Sequence, residues 1–168
     1  MTNIIHPLDS LSKEEIEKSI ALFKLDKNSD KNSVFSYITL EEPEKEFVKN
    51  FKSGDPFSRQ SRIVGIDSNS KGFEVLIDLT GEKVISSISL HEEAGPTYTM
   101  TEILTAIQLT LENEQYQEAL KKRGITDLNL IQIDPWPGGG IVNKNIKRGH
   151  RALKTISFLK ENPSDNAY

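Results

Sequence analysis

The chain has 168 residues, 36% hydrophobic and 27% charged, with 21 lysines and arginines against 25 aspartates and glutamates for a formal net charge of −4. That length suits one ordinary domain or two small ones, and the absence of cysteine excludes disulfides, thiol catalysis, thiolate-bound zinc and iron–sulfur centres. Mild acidity without a long basic block argues against nucleic acid, no apolar run approaches the roughly 18 residues of a membrane span, and the opening residues lack a leader pattern, so the expectation is a soluble, cytoplasmic protein.

Ser12 followed three residues later by Glu15 has the spacing of a capping box, with Leu11 and Ile16 placed as a hydrophobic staple. Ile16, Ile20 and Phe23 recur at helical spacing among charged neighbours, which predicts a helix over 13–25. Four strands are expected next, over 34–40, 62–67, 73–80 and 84–90, with an acidic break containing Pro43 after the first. In the third, Phe73, Val75, Ile77 and Leu79 alternate with Glu74, Leu76, Asp78 and Thr80. One helix followed by antiparallel strands reads as a curled sheet wrapped on a helix.

The opening then repeats. Thr99 and Glu102 restate the capping box 87 positions after Ser12 and Glu15, and Tyr98 and Ile103 restate the staple. A second helix carrying Ile103, Ile107 and Leu111 is expected to bend near Asn113, resume through Tyr116 and Leu120, and close at Gly124. Only two strands are predicted after it, over 128–134 and 152–159. The fold class is therefore α+β, with two tandem cystatin-like units over 1–92 and 93–168, the second lacking its last strands. Such a unit leaves an unpaired sheet edge and a poorly covered helix face, which expects completion by another chain. Leu153, Ile156, Phe158 and Leu159, with Ile103, are the candidate partner interface.

Catalytic signals are sparse. Gly138-Gly139-Gly140 lacks the lysine and the parallel context of a phosphate loop. His6, His91 and His150 have no metal-ligand spacing, and no nucleophile elbow occurs. Lys144, Lys147, Arg148, His150 and Arg151 read either as a solvated loop or as a surface for an anionic partner. Trp136, the sole tryptophan, lies between Pro135 and Pro137, which disfavour a central strand. It is either a core anchor or an exposed interface aromatic.

His6-Pro7-Leu8-Asp9 with Leu11-Ser12-Lys13-Glu14-Glu15-Ile16, then Thr39-Leu40-Glu41-Glu42-Pro43, then Lys122-Arg123-Gly124-Ile125-Thr126-Asp127, Asp134-Pro135-Trp136 and Asn162-Pro163-Ser164-Asp165-Asn166-Ala167-Tyr168 resemble, in order, landmarks of the N-terminal region of the copper-containing amine oxidases. The resemblance implies two related small α+β domains ahead of a catalytic domain that oxidises primary amines to aldehydes, with one copper and a tyrosine-derived quinone. Tyr37, Tyr98, Tyr116 and Tyr168 follow Ser, Thr, Gln and Ala, so none stands in the quinone motif. The implied role is that of an accessory subunit of the tyramine-oxidase type, with copper and topaquinone in a catalytic partner subunit. No catalytic residue or metal ligand is expected in this chain. The resemblance also places Trp136, Tyr168 and Ile103 as candidates for the mouth of the substrate channel. A free-standing cystatin-like binding or inhibitory module is the alternative.

Overall fold

The capping box starts the first helix where its spacing predicts. In a computed structural model that describes residues 4–139, 144–147 and 149–167, Ser12 Oγ accepts from the Glu15 N–H at 3.2 Å and Glu15 Oε2 accepts from the Ser12 N–H at 2.9 Å. Helix α1 (Lys13–Leu25) follows. Strands β1 (Val34–Glu41), β2 (Gln60–Ile66), β3 (Gly72–Asp78) and β4 (Lys83–Ser89) form an antiparallel sheet in sequential order, each within a residue or two of its expected span. The chain clusters into two units, Met1–Thr97 and Tyr98–Tyr168.

The first unit's core is Phe23 of α1 against Ile63, Val75, Ile77 and Leu79. The Phe23 ring meets Phe35 edge-on and stacks on Phe73. Ser19 and Ser61 are both completely buried with their hydroxyl oxygens 2.7 Å apart, a small pair that lets α1 lie close to β2. The acidic break after β1 contains a short helix, α2 (Lys45–Asn50), that its composition did not suggest. Contacts among Phe47, Phe51 and Phe57 hold this segment, and the His6 ring packs edge-on against Phe51 at 5.1 Å, which gives His6 a packing role.

The second unit restates the start. Thr99 Oγ1 accepts from the Glu102 N–H and Glu102 Oε2 from the Thr99 N–H, opening α3 (Met100–Glu112). The single bent helix expected here is two helices. Asn113 leaves helical conformation and its side chain accepts from the Tyr116 N–H at 2.9 Å, capping α4 (Glu114–Lys121). Gly124, at φ 79°, closes the turn beyond α4.

Two further expectations are corrected. Leu128–Leu130 forms a 3₁₀ turn instead of opening a strand, because the Asp127 carboxylate accepts from the Asn129 N–H. The next strand, β5 (Ile131–Pro137), then runs straight through Pro135, Trp136 and Pro137. It pairs antiparallel with β6 (Leu153–Leu159) in a two-stranded sheet. Among the described residues, no helix is long and apolar enough to cross a membrane.

Candidate functional site

Each capping-box glutamate is gripped by an arginine from the far side of its unit. Arg59, immediately before β2, places Nε 2.9 Å and Nη2 3.0 Å from the two Glu15 carboxylate oxygens, and also donates to the carbonyls of Pro7 and Ser10. Arg151, just before β6, places Nε 2.8 Å and Nη2 2.9 Å from the Glu102 oxygens, and its guanidinium lies 4.4 Å from the Tyr98 ring centroid. Burial pushes the Glu15 carboxyl up, but the Arg59 guanidinium and the Ser12 N–H outweigh it and hold it below its ordinary value. The hydrogen bonds from Arg151 outweigh burial at Glu102 and, with the Thr99 N–H and hydroxyl, bring its pKa down to about 2.

Arg151 is therefore no solvated loop cation, and the basic cluster loses that member. Lys144, Lys147 and His150 are exposed, while Arg148 lies outside the described residues. The duplication held the missing signal, an arginine one or two residues ahead of the strand that returns under each capped helix.

The hydrogen-bond phase of β5 and β6 defines a free edge. Gly138 N–H donates to the Ala152 carbonyl and Lys160 N–H to the Leu130 carbonyl, so with the register Ile131↔Leu159 through Pro137↔Leu153 the even-numbered residues bond across the pair. Odd-numbered residues then turn their backbone groups outward. On β5 two of these are Pro135 and Pro137, which have no N–H, so the ladder tolerates them and that edge is a poor template for another strand. On β6 the outward groups belong to Leu153, Thr155, Ser157 and Leu159. Among the described residues no strand pairs with them.

Side chains alternate in the same phase. Ser157 Oγ accepts a 2.7 Å hydrogen bond from the Tyr116 hydroxyl of α4, so it faces the helices, as do Leu153 and Leu159 by register. A cavity of about 340 Å³ opens there, lined by Tyr116, Ala119, Leu120, Ile125, Ile131 and Leu159. Ile156 and Phe158 lie on the opposite face with Trp136. The four interface candidates thus share a strand but not a face. Trp136 is 53% exposed and its Nε1–H donates to Asp134 Oδ2 at 2.8 Å. Ile103 is half-buried in α3, on the helix side of this sheet, so the structure does not bring it beside Trp136. Tyr168 lies outside the described residues.

Among the described residues, no group of three or more histidine, aspartate or glutamate side chains is placed to hold a metal ion. The donor set of a copper centre does not fit here.

These features define a class of chain built from helix-on-sheet units. The family model for the copper amine oxidase N2 domain matches residues 6–90, just over half of the chain; the chain belongs to the copper amine oxidase family. It is 27% identical over 169 residues to a primary amine oxidase of Arthrobacter sp. (strain P1), covering 100% of this chain and 25% of that protein. It is 29% identical to a primary amine oxidase of Klebsiella aerogenes, covering 92% and 21%. In fold it is similar to a copper-containing benzylamine oxidase from Hansenula polymorpha, with a TM-score of 0.73 at 16% identity, over 98% of this chain and 26% of that one. The chain spans about a quarter of the length of the curated relatives it matches.

Proposed function

We propose that this chain is a non-catalytic small subunit of a two-chain copper and quinone primary amine oxidase, and that it completes the shell and the substrate-channel mouth of a separate catalytic polypeptide. In this proposal the two units are cystatin-like domains over 1–92 and 93–168, and the catalytic polypeptide supplies copper and topaquinone for converting a primary amine, oxygen and water to an aldehyde, ammonia and hydrogen peroxide. The observation that carries the reading is the second unit. Its described residues form a sheet of two strands, and of its described apolar residues only Leu120 and Ile133 are buried, each still 7% exposed, so it has reason to associate with more protein.

The test is reconstitution. Purified chain mixed with the catalytic amine oxidase polypeptide should co-elute in fixed ratio, with copper and quinone redox staining on the larger polypeptide and amine-dependent peroxide release by the complex. Elution of this chain alone as a monomer would overturn the accessory role and bring forward the binding-module alternative.

Trp136 is the proposed channel-mouth residue, with Ile103 and Tyr168 as the others named by motif. A half-exposed indole fixed by Asp134 presents a rigid apolar plate, which selects by shape. In the reconstituted complex, Trp136→Ala should change the ratio of kcat/KM for an aromatic over a short aliphatic amine by roughly tenfold. An unchanged ratio would reduce Trp136 to packing.

A further inference from the structure

The second unit carries a run of positive charge that its clamp does not use up. From Pro135 to Lys160 the sequence has six lysines and arginines and no aspartate or glutamate, in a chain whose net charge is −4. Arg151 of that run is paired with Glu102, and Lys160 donates to the Pro163 carbonyl at one end of β6. The other end carries Lys154, which stands directly across from Trp136. The two side chains therefore share the outer face of the sheet, with Cβ atoms about 5 Å apart. Lys154 is exposed and makes no ion pair among the described residues. The β5–β6 connection, with Lys144 and Lys147 also exposed, leaves the hairpin at this same end, where the Gly138 N–H donates to the Ala152 carbonyl.

We propose that Lys154 is a specificity-determining residue beside Trp136, a cation that disfavours amines carrying a second positive charge, so that the assembled enzyme prefers monoamines, with neutral or anionic tails, over diamines. This rests on the accessory-subunit and channel-mouth readings and adds the class of amine that the mouth admits. Every primary amine arrives as an ammonium, so its reacting end meets the same field whatever its tail. In the transition state that end lies within the catalytic polypeptide, and only the tail stands at the mouth. The repulsion then acts on a tail ammonium alone, which makes it a difference between substrates in kcat/KM.

One carboxylate works against the lysines. Asp134 lies diagonal to Lys154 on the same face, is half-buried, and accepts from Trp136 Nε1–H at 2.8 Å. It is a single charge held at the indole, against exposed Lys154, Lys144 and Lys147 at this end of the hairpin, so the outer face there stays positive. A tail ammonium about 7 Å from Lys154, under screening between that of water and that of a protein surface, is disfavoured roughly five- to tenfold. The Trp136 plate contributes the other half of the preference, since it takes an apolar tail by shape.

The test is steady-state kinetics of the reconstituted complex on straight-chain monoamines and the terminal diamines of the same length, butyl through decyl. At the lengths that bring the tail to the mouth, the monoamine-to-diamine ratio of kcat/KM should fall about five-fold in Lys154→Gln, fall further in Lys154→Glu, and hold in Lys154→Arg. Added salt should lower the wild-type ratio and lower that of Lys154→Gln less. A ratio equal in wild type and Lys154→Gln at every length overturns the charge filter. Trp136→Ala judges the channel-mouth reading separately: a changed aromatic-to-aliphatic ratio there, with no effect of Lys154, removes the filter and spares the mouth, whereas no effect of either residue removes both. Loss of assembly in Lys154→Gln would assign Lys154 to the partner interface and overturn its place at the mouth. Failure of the wild-type polypeptides to assemble would overturn the accessory role and the filter with it.

Discussion

At Glu102 a single carboxylate ties a helix start to a strand start, and its titration reports that tie. Its pKa in the folded chain is about 2 against an ordinary value of 4.5, so between those values the unfolded chain binds more protons. The resulting stabilisation is whole above about pH 4.5 and is lost as pH falls toward 2; it amounts to roughly 2–3 kcal/mol. Chemical unfolding measured across that window should show the loss in the wild-type chain and a much flatter profile in Arg151→Ala. Arg59 is the stronger case for stability because its side chain is 8% exposed and that of Glu15 is 15% exposed. Arg59→Ala leaves the Glu15 carboxylate with the Ser12 N–H but without its ion pair, and two carbonyls without the arginine donor, and should cost about 3–5 kcal/mol, read from the urea midpoint. The glutamates were legible in the sequence, since a capping box is local. Their arginines lie 44 and 49 residues away, and no local pattern announces a pairing at that distance.

At the scale of the elements, the same contrast between local and distant causes separates what was legible from what was not. Helices α1 and α3 begin where their caps predict, and the four strands of the first unit follow their alternation. Asn113, Asp127 and the Pro135-Trp136-Pro137 segment differ because each is decided by which way a backbone N–H points. Asn113 and Asp127 cap new turns, and the prolines sit where β5 turns its backbone outward. The channel and interface candidates were legible as residue types, but their division between two faces of the β5–β6 sheet needed the register. That phase makes a sharp prediction for β6. Thr155→Pro removes an outward N–H and leaves the β5–β6 ladder intact, so the secondary structure should persist by circular dichroism while assembly with the catalytic polypeptide is abolished. Ile156→Pro, one residue on, removes an N–H that bonds to β5 and should unzip the pair. Equal effects of the two substitutions on the isolated chain would show that the edge is assigned to the wrong phase.

Across the whole chain, a duplicated pattern supports two units whose described sheets differ in size, four strands against two, and stability should follow sheet size. The first unit buries Phe23, Ile63, Val64, Val75, Ile77 and Leu79 beneath and within four strands, whereas the second places two helices on two strands. Apolar burial is the main favourable term in folding, and a two-stranded sheet is marginal without more to pack on. The second unit should therefore open without the first. Native-state hydrogen exchange on the full chain checks this directly. The Ile63 and Val75 amides, bonded between β2 and β3, should exchange only through the largest opening. Those of Ile156 and Phe158, bonded to β5, should exchange through a smaller one, at least about 2 kcal/mol less costly. Assembly with a completing strand adds hydrogen bonds and apolar cover to the second unit alone, so it should close that gap and leave the first unit's protection unchanged. Equal protection of both units in the chain by itself would mean that two strands suffice, and would remove the physical reason for a partner.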